Sequence, residues 1–251
     1  MSASDNNNGK VIAVRGLAEI ATLFVISIAS VSAPEFGLST KQSAPQNPAP
    51  NAPPKAGPAV DEWSDDFDGA QLDSTKWESY TFEGGSGGKI EVKDRQLRLR
   101  GMGESRSGVR TKTSFRGDRF YVEATLAKVG PRAPQPGENA FPPGYAILTV
   151  LFDGNSVTRL EWILRSDGIF EAWHSFEGKL ERLDNGKLAT KEKNPRLGIG
   201  RRGDQVFFML NREVGLERTL RGLPASFKVM LYGYGSSENN WDSVYVQTLK
   251  Q

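Results

Sequence analysis

Apolar and polar residues alternate through residues 119–127: Phe120, Val122, Ala124 and Leu126 point one way, Arg119, Tyr121, Glu123 and Thr125 the other. A period of two with one apolar side predicts a half-buried β-strand. Residues 109–115 form a second β-prone run, and Arg116-Gly117-Asp118 supplies a turn, so the stretch reads as two antiparallel strands laid on a core. Similar short runs, punctuated by glycine, lie upstream at 89–92 and 96–100. Others follow at 145–152, 158–165, 169–174, 179–183, 196–201, 205–211, 216–220, 227–234 and 244–249. Many short strands with no amphipathic helical segment predict an all-β, two-sheet antiparallel β-sandwich. Residues 146–152 and 206–210 are apolar on both sides, which predicts central strands covered on both faces. The proline-rich stretch 131–143 breaks the pattern and is expected to loop over the rim.

The N-terminus follows a different pattern. A polar start holding Lys10 and Arg15 leads into an apolar run at 20–28, and Val31-Ser32-Ala33 supplies small residues behind it. This predicts a secretory signal peptide over 1–33 and a secreted, periplasmic or extracellular protein. The run is shorter than the roughly 20 residues a spanning helix needs, so a membrane would be met only through an uncleaved signal segment. Residues 34–60 hold seven of the chain's 14 prolines and few large apolar side chains, which predicts an extended, flexible linker. The folded domain is then 61–251.

Composition removes several chemistries. A formal net charge of +2 over 251 residues gives no basic run for nucleic acid. The absence of cysteine excludes disulfides, thiolate metal sites and a cysteine nucleophile. One histidine, His174, excludes a multi-histidine metal site.

Four stretches carry a resemblance. "DDFDG..LD..KW" near residue 65 resembles the opening of many extracellular jelly-roll domains that bind or cleave glycans. "SGVRTK..F..DRFYVEATLA" resembles a passage of laminarinase-like β-glucanases. "GDQVFFMLN" and "NNWDSVYVQ" resemble the closing strands of concanavalin A-like jelly rolls. Together they cover nearly all of 63–250 and imply the concanavalin A-like lectin/glucanase fold. In the β-glucanases the resemblance implies a catalytic strand of the form Glu-x-Asp-x-(x)-Glu on the concave sheet. Its outer carboxylates act as nucleophile and acid/base, about 5–5.5 Å apart in a retaining enzyme. The matching strand here is 159–166, where Glu161 takes the first position, Ile163 replaces the aspartate, and Arg165 and Ser166 replace the second glutamate. One carboxylate cannot be both nucleophile and acid, so the family's hydrolysis is not expected. Alginate-lyase families share the architecture and use Arg, Gln, His and Tyr. The base–acid pair that such chemistry could draw on here is His174 with Tyr121 or Tyr145.

Alternation maps the concave face. With Leu160, Trp162, Leu164, Phe170 and Ala172 inward, the outward set is Glu161, Ile163, Arg165, Glu171 and Trp173, joined from the opening pair of strands by Arg110, Lys112, Tyr121 and Glu123. An aromatic ring amid carboxylates and arginines suits a poly- or oligosaccharide, whose C–H face stacks while its hydroxyls take hydrogen bonds. The same charges also suit a solvated sheet face with cross-strand ion pairs. The candidate carbohydrate-binding residues are therefore Trp173, Glu161, Arg165, Glu171, Tyr121, Glu123 and Arg110. Trp63, Trp77, Trp162 and Trp241 are expected in the core. The resemblance further implies a structural Ca²⁺ between first and last strands, with Asp66 and Asp242 in the matching places; a turn aspartate capping its own backbone is the alternative. The expected function is a secreted, non-catalytic carbohydrate-binding module. The alternatives are a polysaccharide hydrolase or lyase with a different site, or a surface scaffold.

Overall fold

The computed structural model describes residues 60–82, 88–100, 106–132, 134, 142–184, 186, 188–235 and 238–249. The expected signal peptide, residues 34–59 of the linker and most of the 131–143 loop lie outside these. Among the described residues no helix forms; two eight-stranded antiparallel sheets do.

The front sheet runs β11 (Lys179–Arg182), β10 (Phe170–Phe176), β9 (Arg159–Arg165), β8 (Tyr145–Phe152), β15 (Ser226–Tyr234), β5 (Arg106–Thr111) and β2 (Trp77–Phe82), with β6 (Phe115–Arg116) also on β15. The back sheet runs β14 (Glu213–Thr219), β13 (Gln205–Leu210), β12 (Arg196–Arg202), β7 (Arg119–Val129), β16 (Glu238–Leu249), β4 (Gln96–Arg100) and β3 (Lys89–Lys93), with β1 (Val60–Asp65) also on β16. Alternation along each strand sends one set of apolar side chains between the sheets. Trp162, Phe208, Phe227, Leu231, Val122 and Trp241 are fully buried there. Trp162 stacks on Phe170 with centroids 5.0 Å apart, and its indole Nε1 donates to the Met209 carbonyl at 2.8 Å. That bond ties β9 of one sheet to β13 of the other and satisfies the only polar atom of a buried ring.

Two expectations are corrected. The stretch 109–127 is not a hairpin: β5 lies in the front sheet and β7 in the back sheet. Between them Phe115 drops into the core and pins β6 to Phe227 of β15, so the turn residues carry the chain across the sandwich. Alternation states which side of a strand is apolar, and both strands satisfied it while belonging to different sheets. The second correction is β13. It is next to the edge of the back sheet, whereas β8 is central in the front sheet. The outer side of β13 is buried because Phe207 and Met209 fold over β12, where Gly198 and Gly200 carry no side chain; a Cβ on Gly200 would sit 2.9 Å from Met209 Cε.

Candidate functional site

Register lays out the front sheet's outer face in rows. One row reads Arg182, Trp173, Glu161, Thr149, Met230, Arg110 and Glu78 across seven strands. The next holds Glu171, Ile163, Ile147, Tyr232, Gly108 and Tyr80. Beyond it stand Arg165, Tyr145 and Tyr234, with Arg106 and Phe82 paired further along. Beneath the polar groups Ile147, Leu151, Ile163, Met230, Tyr232 and Phe82 form a second buried apolar cluster, separate from the core between the sheets.

Three knots of side chains sit on that layer. In the middle, Glu161 Oε1 accepts from Arg159 Nε at 2.6 Å and from the Tyr232 hydroxyl at 2.7 Å, and Glu161 is only 4% exposed. The Arg159 guanidinium lies 5.2 Å from the Phe82 ring, which meets Tyr232 edge-on. Burial, then the neighbouring Glu161 carboxylate, pushes the Tyr232 phenol well above its ordinary range, so it stays protonated and donates. Toward the β11 edge, the Trp173 indole Nε1 donates to Glu171 Oε2 at 3.1 Å, and Arg165 holds the other oxygen at 3.3 Å. Arg182 lies 5.9 Å from the centre of the Trp173 ring and is itself gripped by Asp184 at 3.0 Å. Trp173 is half-buried, its ring fixed by these contacts but still accessible. Toward β2, Arg110 stacks on Tyr80 at 3.9 Å and donates to Glu78 Oε1 at 2.9 Å; Lys228 Nζ donates to the same oxygen at 3.0 Å.

Trp173, Glu161, Arg165, Glu171 and Arg110 thus share one face, as expected. Tyr121 and Glu123 do not. They are borne by β7, on the outer face of the other sheet, where Tyr121 donates to Glu123 Oε2 at 2.6 Å and Arg212 reaches the same oxygen at 3.1 Å. Their misplacement follows directly from reading the β5–β7 stretch as a hairpin. Burial, then the hydrogen bond to Glu123, pushes the Tyr121 phenol far up, so it is no acid at ordinary pH. His174 shares the inward side of β10 with Phe170 and Ala172, whereas Tyr145 is on the outer face of the same sheet. Histidine and tyrosine are therefore not assembled into a base–acid pair. Sequence reading missed Arg159, Tyr232, Lys228 and Tyr80. Arg159 was legible as an alternate neighbour of Glu161; the other three come from distant strands and needed the register.

The calcium expectation can be tested on donors. Asp66 is exposed just past β1, and Asp242 on β16 accepts from Gln96 Nε2 at 2.8 Å. The buried carboxylate of that corner is Asp65, whose oxygens are taken by Phe67 N at 3.0 Å and Trp77 Nε1 at 2.7 Å. Calcium requires six to eight oxygens. Among the described residues no three acidic or histidine side chains gather, so an ion at this corner would rest on backbone carbonyls beside an aspartate.

Two cavities open at the edge of the sandwich rather than on this face. One of about 410 Å³ is lined by Leu126, Lys128, Leu164, Arg165 and Thr190; another of about 570 Å³ by Trp162, Leu188, Leu210 and Val214. The segment 190–192 lines both.

No protein-family model matches the chain, and no curated protein does. Solved structures match throughout the domain. An endo-β-1,3-glucanase from Pyrococcus furiosus aligns with a TM-score of 0.53 at 12% identity, over 74% of this chain and 93% of that one. A non-specific endo-β-1,3(4)-glucanase from family GH16 aligns with a TM-score of 0.56 at 12% identity, over 78% and 94%. The CBM2 module of an evolved Dit from Lactobacillus casei BL23 phage J-1 aligns with a TM-score of 0.54 at 16% identity, over 78% and 99%. At such identities the likeness establishes the fold: a concanavalin A-like two-sheet jelly roll.

Proposed function

We propose that the outer face of the front sheet binds a polysaccharide without cleaving it, and that the protein is exported. The observation that carries the reading is the Trp173 ring, half-exposed and fixed by Glu171 and Arg182 beside Arg165. A flat ring held in a frame of hydrogen-bonding charges stacks a sugar and orients its hydroxyls. The jelly rolls it resembles include glucanases and a CBM2 module, which supports a carbohydrate partner. Glu161 belongs to the framework in this reading: it is buried and committed to Arg159 and Tyr232. Both Glu161 and Glu171 are held by arginine, and Tyr232 keeps its proton and donates to Glu161, which supports a binding role for these groups over a hydrolytic one.

A glycan array probed with the full chain tests binding, and a reducing-end assay on each bound glycan tests cleavage. Trp173→Ala is expected to weaken binding by about 1–3 kcal/mol, by analogy with base stacking on aromatics, while the fold survives. A collapse of stability with unchanged binding per folded molecule would make the ring structural. Export predicts a mature chain beginning near Pro34; N-terminal sequencing that recovers residues 1–30 from secreted protein would contradict it.

One observation favours the enzymatic alternative. Glu161 pairs across the sheet with Trp173, and Ile163 with Glu171, so the two glutamates are diagonal neighbours. Diagonal backbone positions lie about 7–8 Å apart, which leaves the two side chains able to bring their carboxyl groups to the roughly 6.5–9.5 Å of inverting glycosidases. Release of reducing ends, lost in Glu171→Gln, would establish that reading instead.

A further inference from the structure

The β2–β5 half of the same face has a charge balance that neutral sugar does not require. Arg110 and Lys228 converge on a single oxygen, Glu78 Oε1, at 2.9 and 3.0 Å. Arg110 also donates to the Gly154 carbonyl at 2.6 Å, which locks its guanidinium flat against Tyr80. Four residues back on β5, Arg106 lies 5.7 Å from the centre of the Tyr234 ring and has no carboxylate partner among the described residues. Among the described residues three cations thus share one carboxylate here. The β9–β11 half, in contrast, matches Arg159, Arg165 and Arg182 with Glu161, Glu171, Asp167 and Asp184.

Gly108, with no side chain of its own, stands between the two arginines on the same side of β5, and its cross-strand neighbours are Tyr80 and Tyr232. Arg106 and Arg110 are four residues apart on a strand, about 13 Å at the ordinary rise. Both arginines are half-buried, and Arg110 is stacked on Tyr80 and held by Glu78 and the Gly154 carbonyl, which lowers the entropy lost when an anion docks there. We propose that this half of the face takes the acidic groups of an anionic polysaccharide, carboxylate or sulfate ester, while Trp173 stacks the sugar further along. The proposal rests on the glycan-binding reading and names its substrate class.

The test is binding of the full chain to polygalacturonate, dextran sulfate and the neutral glucan laminarin, at low and high salt. The expected result is tighter binding to an acidic polymer than to laminarin; whichever of the two acidic polymers wins identifies carboxylate or sulfate as the group. Arg106→Gln should weaken that binding roughly tenfold, as loss of a charged hydrogen-bonding partner does, and make it less salt-sensitive. Arg106→Lys should restore part of it. Lys93→Gln, exposed on the edge strand β3 of the back sheet, should change nothing. If Arg106→Gln fails to fold, Lys228→Gln serves as the second variant. Equal weakening by Lys93→Gln would reveal mere ion exchange and overturn the proposal. Trp173-dependent binding to laminarin with no acidic preference would overturn it and leave the glycan-binding reading intact. Binding to none of the three, with the glycan array blank, would remove both.

Discussion

At the scale of the residue, Glu161 illustrates how environment redefines a side chain. Its sequence position matches a nucleophile in the resembling glucanases, yet its oxygen is shared by Arg159 and the Tyr232 hydroxyl beneath the surface of the sheet. Removing one member of a buried ion pair leaves the other charge uncompensated, at a cost of about 3–5 kcal/mol. Arg159 keeps its Ser156 carbonyl contact, so Glu161→Ala is expected near the lower end, about 3 kcal/mol. Glu161→Gln, which still accepts from Tyr232, should cost less. Urea unfolding of the two variants measures this. A stable Glu161→Ala protein that has lost only glycan binding would instead make Glu161 a sugar contact. The facing of Glu161, Trp173 and Glu171 was legible in the alternation of two strands. Their partners were not, because Tyr232 and Arg182 arrive through register with strands far along the chain.

At the scale of the element, β5 is the strand that the whole face depends on. Its Gly108 opposes Tyr232 of β15 so closely that a Cβ would lie 2.0 Å from the Leu231 carbonyl oxygen and 2.6 Å from Tyr232 Cβ. Those are backbone and near-backbone atoms that cannot swing aside. Gly108→Ala is therefore expected to exceed the ordinary overpacking cost of about 1–3 kcal/mol, seen as a large fall in melting temperature or as insoluble protein. A variant that melts like the parent would mean that β5 and β15 can separate, and with them Arg106 and Arg110. The assignment of β5 and β7 to one hairpin failed at this scale. Period two identifies a strand and its buried side; it contains no information on which of two sheets the strand joins.

At the scale of the whole molecule, acid stability follows from where the titratable groups were placed. His174 Nε2 is buried with no hydrogen-bond partner among the described residues. Burial lowers its pKa from 6.5, with Glu181 opposing. The unfolded chain therefore binds a proton near pH 6.5 that the folded domain resists, so stability is full above that pH and falls as the pH drops below it. Glu78 and Glu238 behave as depressed carboxylates, lowered first by hydrogen bonds from Lys228 and Lys128 respectively. Their contribution is present above the ordinary carboxylate range and is lost at lower pH. Denaturant midpoints measured from neutral to acid pH should fall in two stages. His174→Leu should abolish the first stage and leave the second; a first stage that persists in His174→Leu would place its origin in another group.

The chain's alternation, its glycine punctuation and the motifs at its two ends were enough to determine an antiparallel sandwich, because each strand's apolar side must be buried whatever it pairs with. They also determined which of Glu161, Ile163, Arg165, Glu171 and Trp173 face outward, since neighbours two apart share a side. Only the tertiary structure decided that Tyr121 and Glu123 belong to the opposite sheet, that Glu161 is sealed by Arg159 and Tyr232, and that Arg110 and Lys228 converge on Glu78. The physical reason is range. Facing is fixed by backbone geometry over two residues, whereas the company each side chain keeps is fixed by strand order and register, and Lys228 meets Glu78 across 150 residues of chain.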